Sequence, residues 1–589
     1  MGKRRLLLPV DEWDDMKSVQ EMLQHSKELY GDQPAFRQFE AYGTESTITY
    51  TEFAERVNEL RAALMQDGMQ GLHFAVVGET SLEWISVYLA VIGGIGIAVP
   101  IDKELSDNSI IRQLNHADVD VVFVSRKSLE KIRRLLPQCP GIKTLVVMRG
   151  EQDVARDSTC PCAITTYSAL LEKGKTALKQ KRADALPKEI RPDAPCVIIF
   201  TSGTTGANKG VVLSNRNITG TIRGCLRLLR YPKIGYSVLP INHSYELHAN
   251  ILGSLCCGTC VCINDELRYL LKNLKHFKPE MSCMVPMMLD TIVRQLKKEI
   301  QKSGKQDAFD RACKMSNALR KTGIDRRRVF FKDILDSLGG NLKMIICGGS
   351  FLDQEVADFL TDIGIDIYNG YGITECAPVA AVNSLLLRKR GSAGHVVPTA
   401  EIRIMDPDEK GNGEIQIRGD LVMQGYYKDE GDTARVFTED GWFRTGDLGH
   451  VDKDRYLFIS GRLKNLIILP NGKNICPEEI EESLIRMIPY IKECVVTENV
   501  TQSGLLGHIY PDPDFCKANG LTSPEEIKIF MRADIECYNR SEPGYKRLSD
   551  YQIRLTEFEK NTTQKILRYK VIKQHGSAKE NRKREKQNA

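Results

Sequence analysis

From His73 onward, short β-branched runs alternate with segments whose apolar residues return every three or four positions. The series reads HFAVV, SLEWISVYLAVIGG, GIAVPI, NSIIRQLNHA, DVVFVS, SLEKIRRLL and KTLVVM. Short apolar runs suit buried strands and the longer period suits helices, so the alternation predicts repeated βαβ units and a mostly parallel sheet covered by helices. Polar, Lys-rich sequence over 172–195 then separates this block from a further strand at 196–200, which runs straight into a glycine-rich loop. Residues 297–338 are strongly charged, with Val329, Phe330, Ile334, Leu335 and Leu338 at helical spacing, and predict surface helices. LKMIICGG (342–349) and 365–368 read as strands, and a glycine-rich turn is expected at 369–372.

Beyond Glu401 the texture changes to hairpin signals: EIRIMD, the turn PDEKGNG, EIQIRG, then GWFRTGDLGHVDKDRYLFIS. The segment 406–413 has the outline of a calcium loop, but Lys410 occupies a ligand position and Ile417 stands where the closing acid belongs, so a solvated hairpin turn is expected. After Ser460 the chain restarts as a small α+β unit. The predicted fold class is α/β: a large N-terminal domain (1–460) of βαβ subdomains plus a β-rich lobe, a small mobile α+β C-terminal domain (461–576), and a charged, disordered tail (577–589). Length supports several lobes, since single cores stop growing at about 250–300 residues and this chain has 589.

Composition narrows the function by exclusion. The 82 Lys and Arg against 77 Asp and Glu leave a net charge of +5, too balanced to imply a nucleic-acid partner. No run reaches the roughly 18 consecutive apolar residues of a membrane span, and the opening MGKRRLLLPVDEWDD does not read as a secretory signal; weak peripheral membrane contact through its basic start is the most it offers. The 17 cysteines then read as reduced thiols in a cytoplasmic protein, with Cys256, Cys257, Cys260 and Cys262 of LCCGTCVCI expected to be buried and inert.

The sharpest chemical feature is IIFTSGTTGANKGVV (198–212), a strand entering a loop that contains Thr201, Ser202, Gly203, Thr204, Thr205, Gly206, Lys209 and Gly210. Small residues let backbone N–H groups approach phosphate oxygens, hydroxyls add donors and Lys209 adds charge, so the loop suits a polyphosphate. It is not a Walker A loop, because Asn208 precedes the lysine and Gly210 follows it.

This loop resembles the signature of the adenylate-forming superfamily, which contains acyl-CoA synthetases, carrier-protein adenylation domains and firefly-type luciferases. YNGYGITE (368–375), GWFRTGDLG (441–449), GRLKNLIIL (461–469) and NTTQKILR (561–568) follow in the family's order, and ITYTEFAERVNELRAAL and YLAVIGGIGIAVPID are similar to its N-terminal motifs. Together they span nearly the whole chain.

The resemblance implies ATP, Mg2+ and, as co-substrate, CoA. By the same resemblance Lys565 is the catalytic lysine, placed between the substrate carboxylate and the α-phosphate, and His243 of LPINHSYELH borders the acyl site. Glu375, with Thr201, is implied to hold Mg2+, and Thr374 to touch the α-phosphate. Tyr371 offers a face to adenine, Asn369 and Gly370 line the base pocket, and Gly349 closes the adjoining strand turn as a further nucleotide-site position. Asp447 is implied to bind the ribose hydroxyls with Arg462 nearby, and Lys464 to be the hinge about which the C-terminal domain rotates. One orientation inserts Lys565 for adenylation; the other brings the loop around Gly472 to the site for thiol transfer.

Three departures stand out: Glu559 and Gln564 where the family often has Pro and Gly, Asn208 where Pro is frequent, and Asn465 where an acid is common. RRVFFKDILDSLGGNLKMIICGGSFL (327–352), with the charged helices before it, is similar to the long-chain fatty acyl-CoA synthetase branch. An amino-acid substrate would need an acidic partner for its ammonium group, and Glu246 is the one carboxylate near His243. The expected reaction is activation of a medium- or long-chain fatty acid through acyl-AMP, followed by transfer to CoA. Loading of an acyl carrier protein, and a non-catalytic nucleotide- or acyl-binding protein, remain alternatives.

Overall fold

The computed structural model describes residues 11–40, 43–149, 160–180, 184–202, 208–468, 474–499, 504–560 and 565–574. The alternating runs form an eight-stranded sheet in the spatial order Gly425–Tyr426, Asn208–Ser214, Pro195–Ser202, Ile97–Ile101, His73–Val77, Val121–Ser125, Thr144–Met148, Ala163–Thr166. From Pro195–Ser202 to Ala163–Thr166 every pairing is parallel. Such a strand is covered on both faces and reads as one apolar run, as in Val121–Ser125, which is buried throughout.

A thirteen-stranded sheet makes the second layer. Its parallel portion runs Asp366–Gly372, Met344–Cys347, Met281–Met284, Ile234–Ser237, Cys260–Ile263, Pro34–Phe39. From Val379–Val382 onward it becomes antiparallel and includes the hairpin of Ala400–Met405 with Gly413–Gly419, so the turn at 406–413 is the expected one. The β-rich lobe is therefore hydrogen-bonded into the parallel sheet. Cys260 and Cys262 lie buried on the same strand, and Cys256 is buried just before it.

The chain after the hairpins builds a three-stranded sheet of Ile491–Asn499, Gly504–Pro511 and Leu548–Ile553, covered by the helices Pro477–Met487 and Pro524–Ser541. Ile480, Leu484, Ile509, Met531 and Tyr538 form its own core. A smaller cluster, Val495, Tyr510, Phe558 and Val571, anchors the segment that carries Lys565. The large mixed sheets with their helical covers are the α/β class expected, and among the described residues no helix is long and apolar enough to cross a membrane.

Three local readings need correction. The turn expected at 369–372 is strand: Asp366–Gly372 stays extended because Gly370 and Tyr371 pair antiparallel with Val382 and Ala381. Part of the separator at 172–195 is helix, since Tyr167–Lys179 packs against Tyr50–Gln66. The strand Tyr456–Arg462 runs past residue 460, its register held by Asp447 opposite Arg462.

Gly372 is required by a close approach: a Cβ there would stand 2.5 Å from the carbonyl oxygen of Pro378, two residues before the Thr374–Cys376 turn. Gly372→Ala is expected to destabilise the protein by about 1–3 kcal/mol through overpacking. Chemical denaturation measures it, and an unchanged midpoint would contradict the tight packing.

Candidate active site

Three strands deliver a buried carboxylate and its partners. Asp447 lies on Phe443–Val451, Arg462 on the neighbouring Tyr456–Arg462, and Tyr371 on Asp366–Gly372. The Tyr371 hydroxyl donates to Asp447 Oδ2 at 2.6 Å, and Arg462 Nε lies 2.7 Å from Asp447 Oδ1. Burial and the adjacent Asp447 charge push the Tyr371 phenol pKa well above its ordinary value. Burial opposes the Arg462 charge, but Asp447, Tyr371 and Glu375 outweigh it and hold the guanidinium above its usual pKa. Asn369 donates through Nδ2 to the Ser392 carbonyl at 3.2 Å, and Gly370 follows it on the strand. Gly349, in the left-handed region at φ +96°, faces Val285.

The phosphate-loop flanks form an antiparallel ladder in which Thr201 pairs with Lys209 and Ser202 with Asn208. Gly203, Thr204, Thr205 and Gly206 lie outside the described residues, as does Gly472. Lys209 forms an ion pair with Asp432 and sits 4.7 Å from the centre of the Tyr426 ring. The Tyr426 hydroxyl donates to Glu375 Oε1 at 3.1 Å, and Met423 N donates to the Glu375 carbonyl at 2.8 Å. Tyr426 thus links Lys209 to Glu375, with Thr374 in the same 3-10 turn.

Lys565 approaches from the C-terminal segment. The residue is exposed to solvent, with protein packed closely around it. Burial and the Arg462 charge lower its pKa, while Asp447 and Glu375 act in the opposite direction. Lys464, in the 3-10 turn Leu463–Asn465, is brought down to about 8 by burial, Arg462 and Lys565, against Asp447 and Glu478. His243 Nε2 is buried with no hydrogen-bond partner among the described residues. Burial lowers the His243 pKa, the Lys565 charge lowers it further, and Asp102 raises it. The structure therefore places Lys464, Arg462, Asp447, Glu375 and His243 within electrostatic reach of Lys565.

The loop carrying Lys565 is braced from below. Arg568 pairs with Glu481 at 2.6 Å and donates to the Val496 carbonyl at 2.9 Å, with Glu478 at 3.9 Å. Asn465 Nδ2 donates to Glu478 Oε1 at 2.6 Å. An acid at residue 465 would repel Glu478, whereas Asn465 supplies a donor.

Several supporting residues escaped the sequence reading. Tyr426 is held by a two-residue pairing, Gly425 with Val212 and Tyr426 with Val211, too short to leave a periodic signal. His248 is buried; its Nδ1 lies 3.1 Å from the Ala377 carbonyl and its Nε2 2.7 Å from the Tyr88 hydroxyl. Because a carbonyl can only accept, Nδ1 carries the proton and Nε2 accepts from tyrosine. Burial lowers this neutral imidazole to about 4. Asp102 Oδ2 is also buried and unpartnered among the described residues, on the side that acts on His243.

The donor set suits Mg2+ bound with a nucleotide: a Glu375 carboxylate and the Thr201 hydroxyl offer hard oxygens, and such an ion keeps most of its shell from phosphates and water. Among the described residues there is no cluster of three or more His, Cys, Asp and Glu side chains able to hold a metal without other ligands.

The large α/β body, with Asp447, Arg462, Tyr371, Glu375 and Lys565 brought together by its thirteen-stranded sheet and the C-terminal segment, is the frame on which the class of the protein can be stated. The chain belongs to the AMP-binding enzyme family, which matches residues 23–427, and is accordingly an AMP-forming ligase. It is 28% identical over 530 residues to long-chain-fatty-acid–CoA ligase 6 of Rattus norvegicus, covering 85% of this chain and 75% of that one. It is 29% identical over 465 residues to long-chain-fatty-acid–CoA ligase FadD15 of Mycobacterium bovis, covering 75% and 74%. Among solved structures, the adenylation domain of a carboxylate reductase from Mycobacterium chelonae superposes with a TM-score of 0.77 at 21% identity, covering 98% of this chain and 93% of that one. A fatty acyl CoA synthetase from Mycobacterium tuberculosis superposes with a TM-score of 0.62 at 20% identity, covering 96% and 99%.

The Lys464 amine is expected to be charged below about pH 8 and neutral above it. Asp447→Asn removes an influence that raises this pKa, so its titration is expected to shift lower. Competitive amine labelling across pH tests both; a midpoint at the ordinary lysine value would contradict the burial and the neighbouring cations that lower it.

Proposed function

We propose that the protein activates a medium- or long-chain fatty acid with ATP, forming acyl-AMP and releasing pyrophosphate, and then transfers the acyl group to the thiol of CoA. The observation that carries this reading is the convergence of Lys565 on Arg462, Asp447, Glu375 and His243. Family membership supports the adenylating step, and the names of the relatives support the acid and the acceptor.

In the first half-reaction a carboxylate oxygen attacks the α-phosphorus while the bond to pyrophosphate breaks. Both reactants are anions, so the site must supply positive charge before they meet. Arg462, Lys464 and Lys565 crowd there, and their mutual repulsion is relieved when phosphate charge arrives. Lys565 bridges the carboxylate and the α-phosphate. Asp447 accepts from the ribose hydroxyls, Tyr371 lies against adenine with Asn369 and Gly370 beside it, and the loop containing Ser202 and Lys209 holds the outer phosphates. Mg2+, held by Glu375 and Thr201, would supply charge neutralisation to the polyphosphate.

In the second half-reaction the thiol sulfur attacks the acyl carbon, the bond from that carbon to AMP oxygen breaks, and the thiol proton is lost to solvent or a nearby base. The C-terminal unit, residues 461–576, is proposed to turn about Lys464 between the two steps. Withdrawal of Lys565 then removes the charge that lowers the His243 pKa and leaves that imidazole more basic beside the acyl group.

Lys565→Ala is expected to lower pyrophosphate release with ATP and acid by at least about a hundredfold, the scale of removing one group that stabilises transition-state charge. It is expected to spare conversion of supplied acyl-AMP to acyl-CoA. Equal loss in both assays would remove the lysine from its step. The acid and acceptor are tested by pyrophosphate release across straight-chain acids with and without CoA; accumulation of acyl-AMP unaffected by CoA would replace CoA by a carrier protein.

A further inference from the structure

The charged helices before Met344 take no part in the chemistry above, and their charge is unusual for this chain. Residues 294–332 contain thirteen Lys or Arg and four Asp or Glu, a net +9, whereas the whole chain carries +5. The positive charge of the protein is concentrated in this segment, and the remainder is net negative.

Packing decides which face looks outward. The helix Pro286–Lys302 buries Leu289, Val293, Leu296 and Ile300, and the helix Gln306–Lys321 buries Ser316. Phe309 packs 5.3 Å from Phe331 and 5.5 Å from Phe359, and Asn317 donates to Asp362 at 3.2 Å. With that face committed, Lys298, Lys302, Lys305, Arg311, Lys314 and Lys321 are exposed, and none is in an ion pair among the described residues. Exposed apolar side chains lie among them: Met315 at 52%, Ile324 at 48% and Val329 at 67% of full exposure.

We propose that the outward face of residues 294–332 is a docking surface for a bilayer rich in anionic lipid. The lysines and arginines meet headgroup phosphates, while Met315, Ile324 and Val329 enter the boundary between headgroups and acyl chains. An acidic protein would satisfy the cations, but it would give no reason for three apolar side chains to stand in water among them; a bilayer interface accepts both. The surface also adjoins the strand end that carries Gly349. The helix Pro286–Lys302 begins directly after Val285, whose Cγ1 lies 3.6 Å from the position of a Cβ at Gly349. Drawing a lipid-partitioned acid from the bilayer beside Gly349 is a use that rests on the fatty-acid reading; the binding itself does not.

The test is flotation of the full chain with vesicles of phosphatidylcholine alone or with about one third phosphatidylglycerol. Recruitment is expected to the anionic vesicles only and to fall at least about tenfold when salt is raised to about 0.5 M. The triple variant Lys302→Glu, Lys314→Glu, Lys321→Glu is expected to lose at least about tenfold in recruitment while keeping its thermal unfolding and its turnover of a water-soluble short acid. Met315→Ser with Ile324→Ser and Val329→Ser is expected to weaken recruitment and its resistance to salt. Charge reversal at Lys3, Arg4 and Arg5 is expected to leave recruitment in place. Absence of wild-type flotation overturns the proposal, as does equal flotation of the 302/314/321 variant, transfer of the loss to the 3/4/5 variant, or capture by an acidic carrier protein without vesicle binding. If vesicles bind but no acid releases pyrophosphate, the functional reading falls and the docking surface stands.

Discussion

The site depends on one buried carboxylate. Asp447 holds the Tyr371 hydroxyl and the Arg462 guanidinium at once, and its side chain is only 4% exposed. A carboxylate so placed is costly unless its oxygens are occupied, and here each has a partner drawn from a different strand. The contact therefore ties the end of the parallel sheet to the antiparallel lobe. It also places the last ordered strand residue, Arg462, immediately before the turn that carries Lys464. Loss of that carboxylate would loosen the Tyr371 strand and the start of the C-terminal unit together.

Around this anchor charges of both signs are closely set. Arg462, Lys464 and Lys565 stand near Asp447, Glu375 and Glu478, and the pKa values of Lys464 and Lys565 are lowered first by burial and then by the neighbouring cations. Burial makes each of these charges costly, and the paired carboxylates offset part of that cost. His243 senses the same field. Burial lowers its pKa most, and the nearby Lys565 charge lowers it further, which couples its proton affinity to the position of the C-terminal segment.

That segment is positioned with care. Arg568, three residues after Lys565, is tied to Glu481, whose side chain is 12% exposed against 17% for the arginine. Removing one member of so enclosed a pair costs about 3–5 kcal/mol, mostly from the charge left behind. Glu478 joins Asn465 to the neighbourhood of Arg568, so the turn at Leu463–Asn465 and the lysine segment share one polar bridge. Rotation about the turn would carry this bridge as a unit, because Glu478, Glu481 and Arg568 all lie on the C-terminal side of it.

The chain order of the motifs, the βαβ alternation and the hairpin texture after Glu401 are local properties, and they were legible because periodicity and turn chemistry act over a few residues. The fold class followed from the alternation, and the family from the resemblance of the ordered motifs. The extended state of residues 369–372 was not legible, since glycine favours a turn locally and only the antiparallel neighbour Val379–Val382 draws it into a strand. Nor was Tyr426, which owes its place between Lys209 and Glu375 to a pairing of two residues across more than two hundred positions of sequence. The same holds for the bracing of Arg568 by Glu481 and for the outward face of residues 294–332. Spacing shows that a helix has two faces, and tertiary packing alone determines which is covered, because burial depends on what the rest of the chain brings against it.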